Sequence, residues 1–289
     1  MNYFLHILIM INIYLILAFS LNLLVGYGGL LSLCHAAFYG VGAYISTLLM
    51  IEYGFNFFAA LPFSIIGAML LSLFVSIPSF RLKQDYFIIG SLGFQIIVFS
   101  ILYNWVDLTR GPYGIPGIPK PSLFGFEFSN LISYSILSII FAGSCFFIVR
   151  RMVMSPFGRL LKAMREDELA ALSLGKNIFK TKIIVFMLSS GMAAISGCLF
   201  AHYVTYIDPT SFNLDEAIFI ITIIVVGGMG NLKGPAVGTV FLLIIPEILR
   251  FLQIPDQIAA NLRQIIYGML LIGFMYFRPQ GIAGCYKFE

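Results

Sequence analysis

Residues 3–25 read YFLHILIMINIYLILAFSLNLLV, with no Asp, Glu, Lys or Arg among them. A helix crosses the hydrocarbon core of a bilayer with about 20 consecutive apolar residues, so this run is long enough to span. It is too long for the core of a cleavable signal, about 7–15 residues, and it lacks a basic flank; it reads as a retained span. Comparable runs recur at 36–51, 57–80, 86–106, 130–149, 183–206, 215–229, 236–253 and 263–277. Lipid offers no hydrogen bonds to a free backbone, so all of these are expected to be helices. The expected fold class is an all-α polytopic transmembrane bundle of about 8–10 spans.

Composition supports this. Of 289 residues, 60% are hydrophobic and 10% are charged, and the mean hydropathy is +0.97. Soluble domains carry about 25% charged residues. A water-facing surface is therefore unavailable, and membrane lipid is the expected solvent. The net charge of +4 is small and gives no nucleic-acid signature. Cys34, Cys145, Cys198 and Cys285 lie far apart and form neither a disulfide framework nor a metal-ligand spacing.

Polar residues gather in the breaks. Arg81 to Asp85 reads as a short turn, and residues 107–129 as a loop carrying GPYGIPGIP at 111–119. Residues 150–182 form the longest polar segment. Positive charge concentrates on the cytoplasmic side of membrane proteins. Placing 150–182 there puts thirteen Lys and Arg inside and four (Arg110, Lys120, Arg250, Arg263) outside. The C-terminus is then cytoplasmic, 107–129 is extracytoplasmic, and nine crossings leave the N-terminus outside. A re-entrant element within 26–51 would change that parity. Tyr103, Trp105, Tyr203 and Tyr206 fall at outer ends, where interfacial aromatics belong.

Within the polar segment, residues 155–175 are too polar to span and too patterned for a linker. Ser155 is an N-cap and Pro156 the first helical residue. Gly175 is the stop. Leu160, Leu161, Met164, Ala171 and Leu172 make the apolar face of the intervening helix. Such a helix is either a surface connector or a docking element for a cytoplasmic partner.

Two glycine-rich stretches interrupt apolar runs: GYGGLLSLCHAAFYGVG at 26–42 and GGMGNLKGPAVG at 227–238. Small residues let membrane helices approach closely; interrupted segments in both halves of a transporter also mark broken helices around a permeation path. Gly227, Gly228 and Gly230 belong to the second break. Asn22, Ser32, His35, Gln95, Asn104, Ser189, Ser190, Ser196 and Glu247 are the polar residues within spans, and they are expected to face the bundle interior. Asn22, Ser32, His35 and Gln95 are candidates for the path or its helix breaks; for His35, a donor bond to a backbone carbonyl is the stronger expectation. Glu247 and Arg250 are spaced to pair on one helix face. No phosphate loop, His-Glu-x-x-His metal motif or nucleophile elbow occurs. The expectation is a non-enzymatic transport subunit with no cofactor and no metal.

These blocks, in order, resemble the LivM-type permease subunits of branched-chain amino acid ABC importers. The resemblance rests on LNLLVGYGGLLSLCHAAF at 21–38, DYF at 85–87 with LGF at 92–94, GPYGI at 111–115, REDELAALSLG at 165–175, GGMGNLKGP at 227–235 and FRPQG at 277–281. The sequence departs from the family pattern at Leu30 (Gln is common), Cys34 (Gly), Arg110 (Gly) and Tyr113 (Asn). The resemblance implies one transmembrane permease domain over 1–289 in a bacterial inner membrane, forming half of a translocation path. The implied partners are a paralogous permease subunit, two cytoplasmic ATPase subunits and an extracytoplasmic solute-binding protein. It also implies that 165–175 couples to the ATPase, through Arg159, Arg165, Glu168, Ala171 and Gly175. Similar permeases serve urea and short-chain amides, and a stand-alone secondary transporter or channel is the reading from outside the family. The latter needs ionisable residues in its spans for ion coupling, where His35 and Glu247 are the ones visible in sequence.

Overall fold

The computed structural model describes residues 2–80, 84–123, 126–251, 256–278 and 280–284. Among them, nine long helices form the bundle: α1 (Asn2–Asn22), α2 (His35–Tyr53), α3 (Phe57–Ser79), α4 (Gln84–Asn104), α6 (Leu131–Met154), α9 (Ile178–Val204), α10 (Leu214–Gly227), α11 (Gly234–Phe251) and α12 (Asp256–Phe277). Each matches one apolar run of the sequence. The short helices α5 (Val106–Thr109), α7 (Pro156–Glu166) and α8 (Glu168–Ser173) lie in the breaks. Strands are two residues long: β1 (Ile115–Pro116) pairs antiparallel with β4 (Tyr206–Ile207), and β2 (Ser122–Leu123) with β3 (Phe126–Glu127). The molecule is an all-α, multi-pass membrane bundle. Five stretches are long and apolar enough to cross by length and composition: Asn2–Tyr27, Phe57–Ser79, Tyr86–Asn104, Leu131–Met154 and Ile178–Val204.

The outer faces are apolar at helical spacing. On α3 the exposed residues are Phe63, Ile66, Leu70, Phe74 and Ile77; on α6 they include Ile132, Ile136, Ile139 and Ile140. In water these stripes would be a liability; in lipid they need no cover.

α1 and α9 are the most enclosed of the long spans, and α2 lies against α9. That contact depends on missing side chains. A Cβ at Gly42 would fall 2.4 Å from Ala194 Cα, and one at Gly197 only 2.0 Å from the Tyr39 carbonyl oxygen. Hydroxyls tie the core together: Ser196 donates to the Ile13 carbonyl (2.8 Å) and Tyr134 to the Leu199 carbonyl (2.6 Å).

The two ends of the bundle differ. At one end, His6 Nδ1 meets the Tyr203 hydroxyl (2.6 Å), His202 Nδ1 donates to the Pro119 carbonyl (2.8 Å), and β1 lies beside β4. The 105–130 loop and the N-terminal end of α1 therefore share this end, with Tyr103, Trp105 and Tyr206 exposed there. At the opposite end sit α7, α8, the 228–233 turn and the 280–284 turn, as the contacts below establish.

Two expectations change. The 155–175 segment is two helices, because Asp167 leaves the helix (φ −151°, ψ 106°) and its carboxylate accepts from Ala170 N (2.9 Å), capping α8. Asp side chains bond their own backbone readily and so compete with helix propagation. Leu172, expected on the inner face, is exposed. The first glycine-rich stretch is a broken element, as expected: α1 runs into a π-helical turn at Leu23–Tyr27, and residues 28–34 fold back before α2 begins. His35 lies level with Ser20, about two turns inside the end of the first span. Of the sequence readings, Arg81–Lys83, the Arg250 side chain, Cys285 and Lys287 lie outside the described residues.

Candidate functional site

Two groups of residues proposed from sequence meet at one end of the bundle. The first is the α7–α8 pair. Ser155 caps α7 by accepting from Gly158 N (3.4 Å), with Pro156 in the first helical position. Leu161, Met164 and Ala171 are buried beneath it. Gly175 ends α8 with φ +72°, and its N–H returns to the Leu172 carbonyl (2.9 Å); a Cβ there would meet nothing, so backbone conformation selects glycine. Glu168 pairs with Lys182 at 2.7 Å and so ties α8 to the second turn of α9. Arg159 is exposed.

Arg165 turns inward. Its guanidinium donates to the Gly26 carbonyl in the π turn, and its stem lies over Gly29, where a Cβ would sit 2.7 Å from Arg165 Cγ. Lys162 Nζ lies 5.7 Å from the centroid of the Tyr27 ring. A π turn leaves carbonyls outside the regular i→i+4 ladder, and Arg165 takes one of them.

The second group surrounds the glycine breaks. Asn22 holds the 228–231 turn with both ends of its amide: Gly230 N donates to Oδ1 (3.1 Å), and Nδ2 donates to the Asn231 carbonyl (3.0 Å). A Cβ on Gly26 would lie 2.2 Å from Asn22 Oδ1 and 2.5 Å from Gly230 N. Gly228 and Gly230 take φ of +110° and +74°. Asn231 Nδ2 donates to the Ala283 carbonyl (2.7 Å), while Ile282 N and Ala283 N donate to the Val226 and Gly227 carbonyls (2.8 and 2.9 Å). Arg165, Gly26, Asn22, Gly230 and Asn231 thus form one continuous chain of contacts from α7 to the C-terminal turn.

Ser32, His35 and Gln95 form a neighbouring cluster at the start of α2 and are all buried. Gln95 Oε1 accepts from Ala37 N (2.7 Å), and its Nε2 donates to the Phe212 carbonyl (2.8 Å). Ser32 Oγ lies 3.1 Å from Cys34 Sγ. The His35 partner is the Ser189 hydroxyl (2.8 Å) rather than a backbone carbonyl. Ser189 gives its own proton to the Ser20 carbonyl (2.6 Å), so it must accept, and His35 Nε2 carries the hydrogen. Asn22 and the first break are legible in sequence. Asp167, which caps α8, went unseen; it sits at a helix start, where a polar residue is unremarkable.

What the site provides is a polar helix pair outside a lipid-embedded bundle, bonded to the broken segment of its first span. That arrangement fits a membrane permease subunit. The family model described as branched-chain amino acid transport system / permease component matches residues 3–275, and the chain belongs to that family. It is 33% identical over 293 residues to the high-affinity branched-chain amino acid transport system permease protein LivM of Escherichia coli K12, covering 93% of this chain and 67% of that one. It is 28% identical to the probable LivM protein of Methanocaldococcus jannaschii (96% and 92% covered) and 24% identical to LivH of Escherichia coli K12 (94% and 91%). A guanosine ABC transporter permease, NupQ of Bacillus subtilis, matches at 27% over 56% of this chain. No solved structure matches.

Proposed function

We propose that this chain is one of two permease subunits of an ATP-driven importer, and that it carries a branched-chain or related amino acid delivered by a solute-binding protein. Its relatives bear that activity in their names, and LivH, a second permease similar to this chain, is the model for the partner subunit. ATP hydrolysis belongs to a separate pair of cytoplasmic subunits. The α7–α8 end faces the cytoplasm, as the Lys and Arg bias requires; the 105–130 loop faces outward toward the binding protein.

The observation that carries this reading is the bond from Arg165 to the π turn. A connector lying on the membrane surface has no need to grip a helix break. Leu169, Leu172 and Leu174 are exposed on α8 and the turn after it, apolar side chains that suit a docking ATPase. Closure of the ATPase pair would push α7–α8, and the push would pass through Arg165 to the break at 23–34 and through Asn22 to the 228–231 turn.

Purification from the native membrane in mild detergent tests this reading. The tagged chain should retain an ATPase and a second permease, and the assembly with its binding protein should import leucine into proteoliposomes only with ATP. A chain that purifies alone and still transports contradicts it.

A further inference from the structure

Away from the α7–α8 end, a cavity of about 410 Å³ opens among α1, α10, α11 and α12. That is within the size range of small-molecule sites, about 300–1,000 Å³. Its lining combines opposite charges with apolar walls: Glu216 and Arg263 together with Phe219, Leu243 and Pro246. Ionisable residues within membrane helices are costly and mark substrate paths by default.

Among the described residues no ion pair includes Glu216 or Arg263. Tyr14 lies within hydrogen-bond reach of the Glu216 carboxyl, but Glu216 Oε1 and Arg263 Nε are each buried without a hydrogen-bond partner among the described residues. Asp215, which shares the lining, is already occupied: Gln264 Nε2 (2.5 Å) and Asn213 Nδ2 (3.1 Å) donate to its carboxylate. Both Glu216 and Arg263 lie within electrostatic reach of the Tyr267 hydroxyl, so the charges flank one small space. Its wall is fixed by packed rings, with Phe219 at 5.3 Å from Tyr14 and 4.7 Å from Tyr267, centroid to centroid.

We infer that this cavity is a transit site for a zwitterionic amino acid. The solute's carboxylate meets Arg263, its ammonium meets Glu216, and its aliphatic side chain lies against Phe219, Leu243 and Pro246. The inference deepens the importer reading and rests on it for the direction of transport; the chemistry of binding is read from the cavity. An acidic and a basic side chain on one small space select a zwitterion over solutes that carry one charge or none. A nucleoside has neither.

The test uses the full chain in lipid nanodiscs, with thermal unfolding as readout. Millimolar L-leucine should raise the unfolding temperature by about 2–4 °C. L-leucinamide (ammonium only), 4-methylpentanoate (carboxylate only) and guanosine should give less than a quarter of that. Glu216→Gln and Arg263→Gln should each abolish the leucine shift, and Arg263→Lys should keep part of it. In the assembled transporter the two Gln variants should import leucine at least tenfold more slowly, with co-purification and ATP hydrolysis intact. If leucine gives no shift, or gives the same shift with both Gln variants, or if both variants import normally, the site is wrong and the importer reading stands. If the assembled wild type imports no leucine, the importer reading fails, and the nanodisc shifts still decide the cavity. Should the Gln variants fail to fold, the leucine, leucinamide and 4-methylpentanoate series on the wild-type chain decides alone.

Discussion

At the scale of single residues, the Asn22 amide does two jobs in one position. It satisfies the Gly230 N–H and the Asn231 carbonyl at a turn where glycines take positive φ. Removing it leaves a buried donor and acceptor unmade, which costs about 1–3 kcal/mol. Asn22→Ala should lower the unfolding temperature by several degrees and reduce uptake about tenfold or more, whereas Asn22→Leu, of similar size, should not restore either; thermal unfolding and leucine uptake measured together check this. Gln95 is used in the same way, bracing the first turn of α2 against the Phe212 carbonyl. That these residues face inward was legible in the sequence, because an Asn or Gln amid 20 apolar neighbours has nowhere else to go. Their partners were not legible: Asn22 and Gly230 are separated by 208 positions, and no local spacing encodes that contact. Glu216 was hidden for the opposite reason. An acidic residue three positions after a capping Asn213 reads as ordinary first-turn chemistry.

At the scale of elements, the α7–α8 pair shows which local signals survive folding. The Ser155 cap, Pro156 start and Gly175 stop all hold, because each is set by its own backbone. The internal break at Asp167 escaped notice because helical periodicity runs through it without interruption; only the capping geometry of Asp167 on Ala170 separates the two helices. Gly175→Val places a β-branched side chain at φ +72°, a region that costs such residues 1 kcal/mol or more, about the size of a lost cap. It should misdirect the chain into α9 and abolish uptake while membrane insertion persists, as read by uptake and membrane fractionation. Glu168→Lys sets two lysines against each other at α8 and α9 and should likewise abolish uptake. The pair is partly exposed, so its contribution to stability is small; its proposed importance is positional. The double exchange Glu168→Lys with Lys182→Glu should therefore recover uptake to at least half of wild type. Failure of the exchange, with both chains inserted normally, would assign Glu168 a contact outside this molecule instead.

At the scale of the whole molecule, the two ends of the bundle differ in build: α7, α8 and the glycine turns at one, the short strands at the other. The nine apolar runs of the sequence correspond to the nine long helices because lipid leaves the backbone one solution, and hydropathy reads that solution directly. Depth was harder to read. The fold-back at 28–34 and the 14-residue α10, about 21 Å long by helical rise, are interrupted elements whose glycines also read as close-packing sites. Which end faces the cytoplasm is a separate proposal from charge bias, and labelling decides it. Single cysteines at Arg159 and Lys120, in a chain whose native cysteines are replaced, should react with a membrane-impermeant thiol reagent from opposite sides: Lys120 in intact cells, Arg159 only after the membrane is opened. The proposed coupling is mechanical: α7 moves the first span through Arg165 on the Gly26 carbonyl. Coupling in the reconstituted transporter, leucine imported per ATP hydrolysed, measures this most directly. Arg165→Ala should leave ATP hydrolysis and assembly in place and drop that ratio about tenfold, with Arg165→Lys intermediate; an Arg165→Ala transporter that imports as much leucine per ATP as wild type would contradict it.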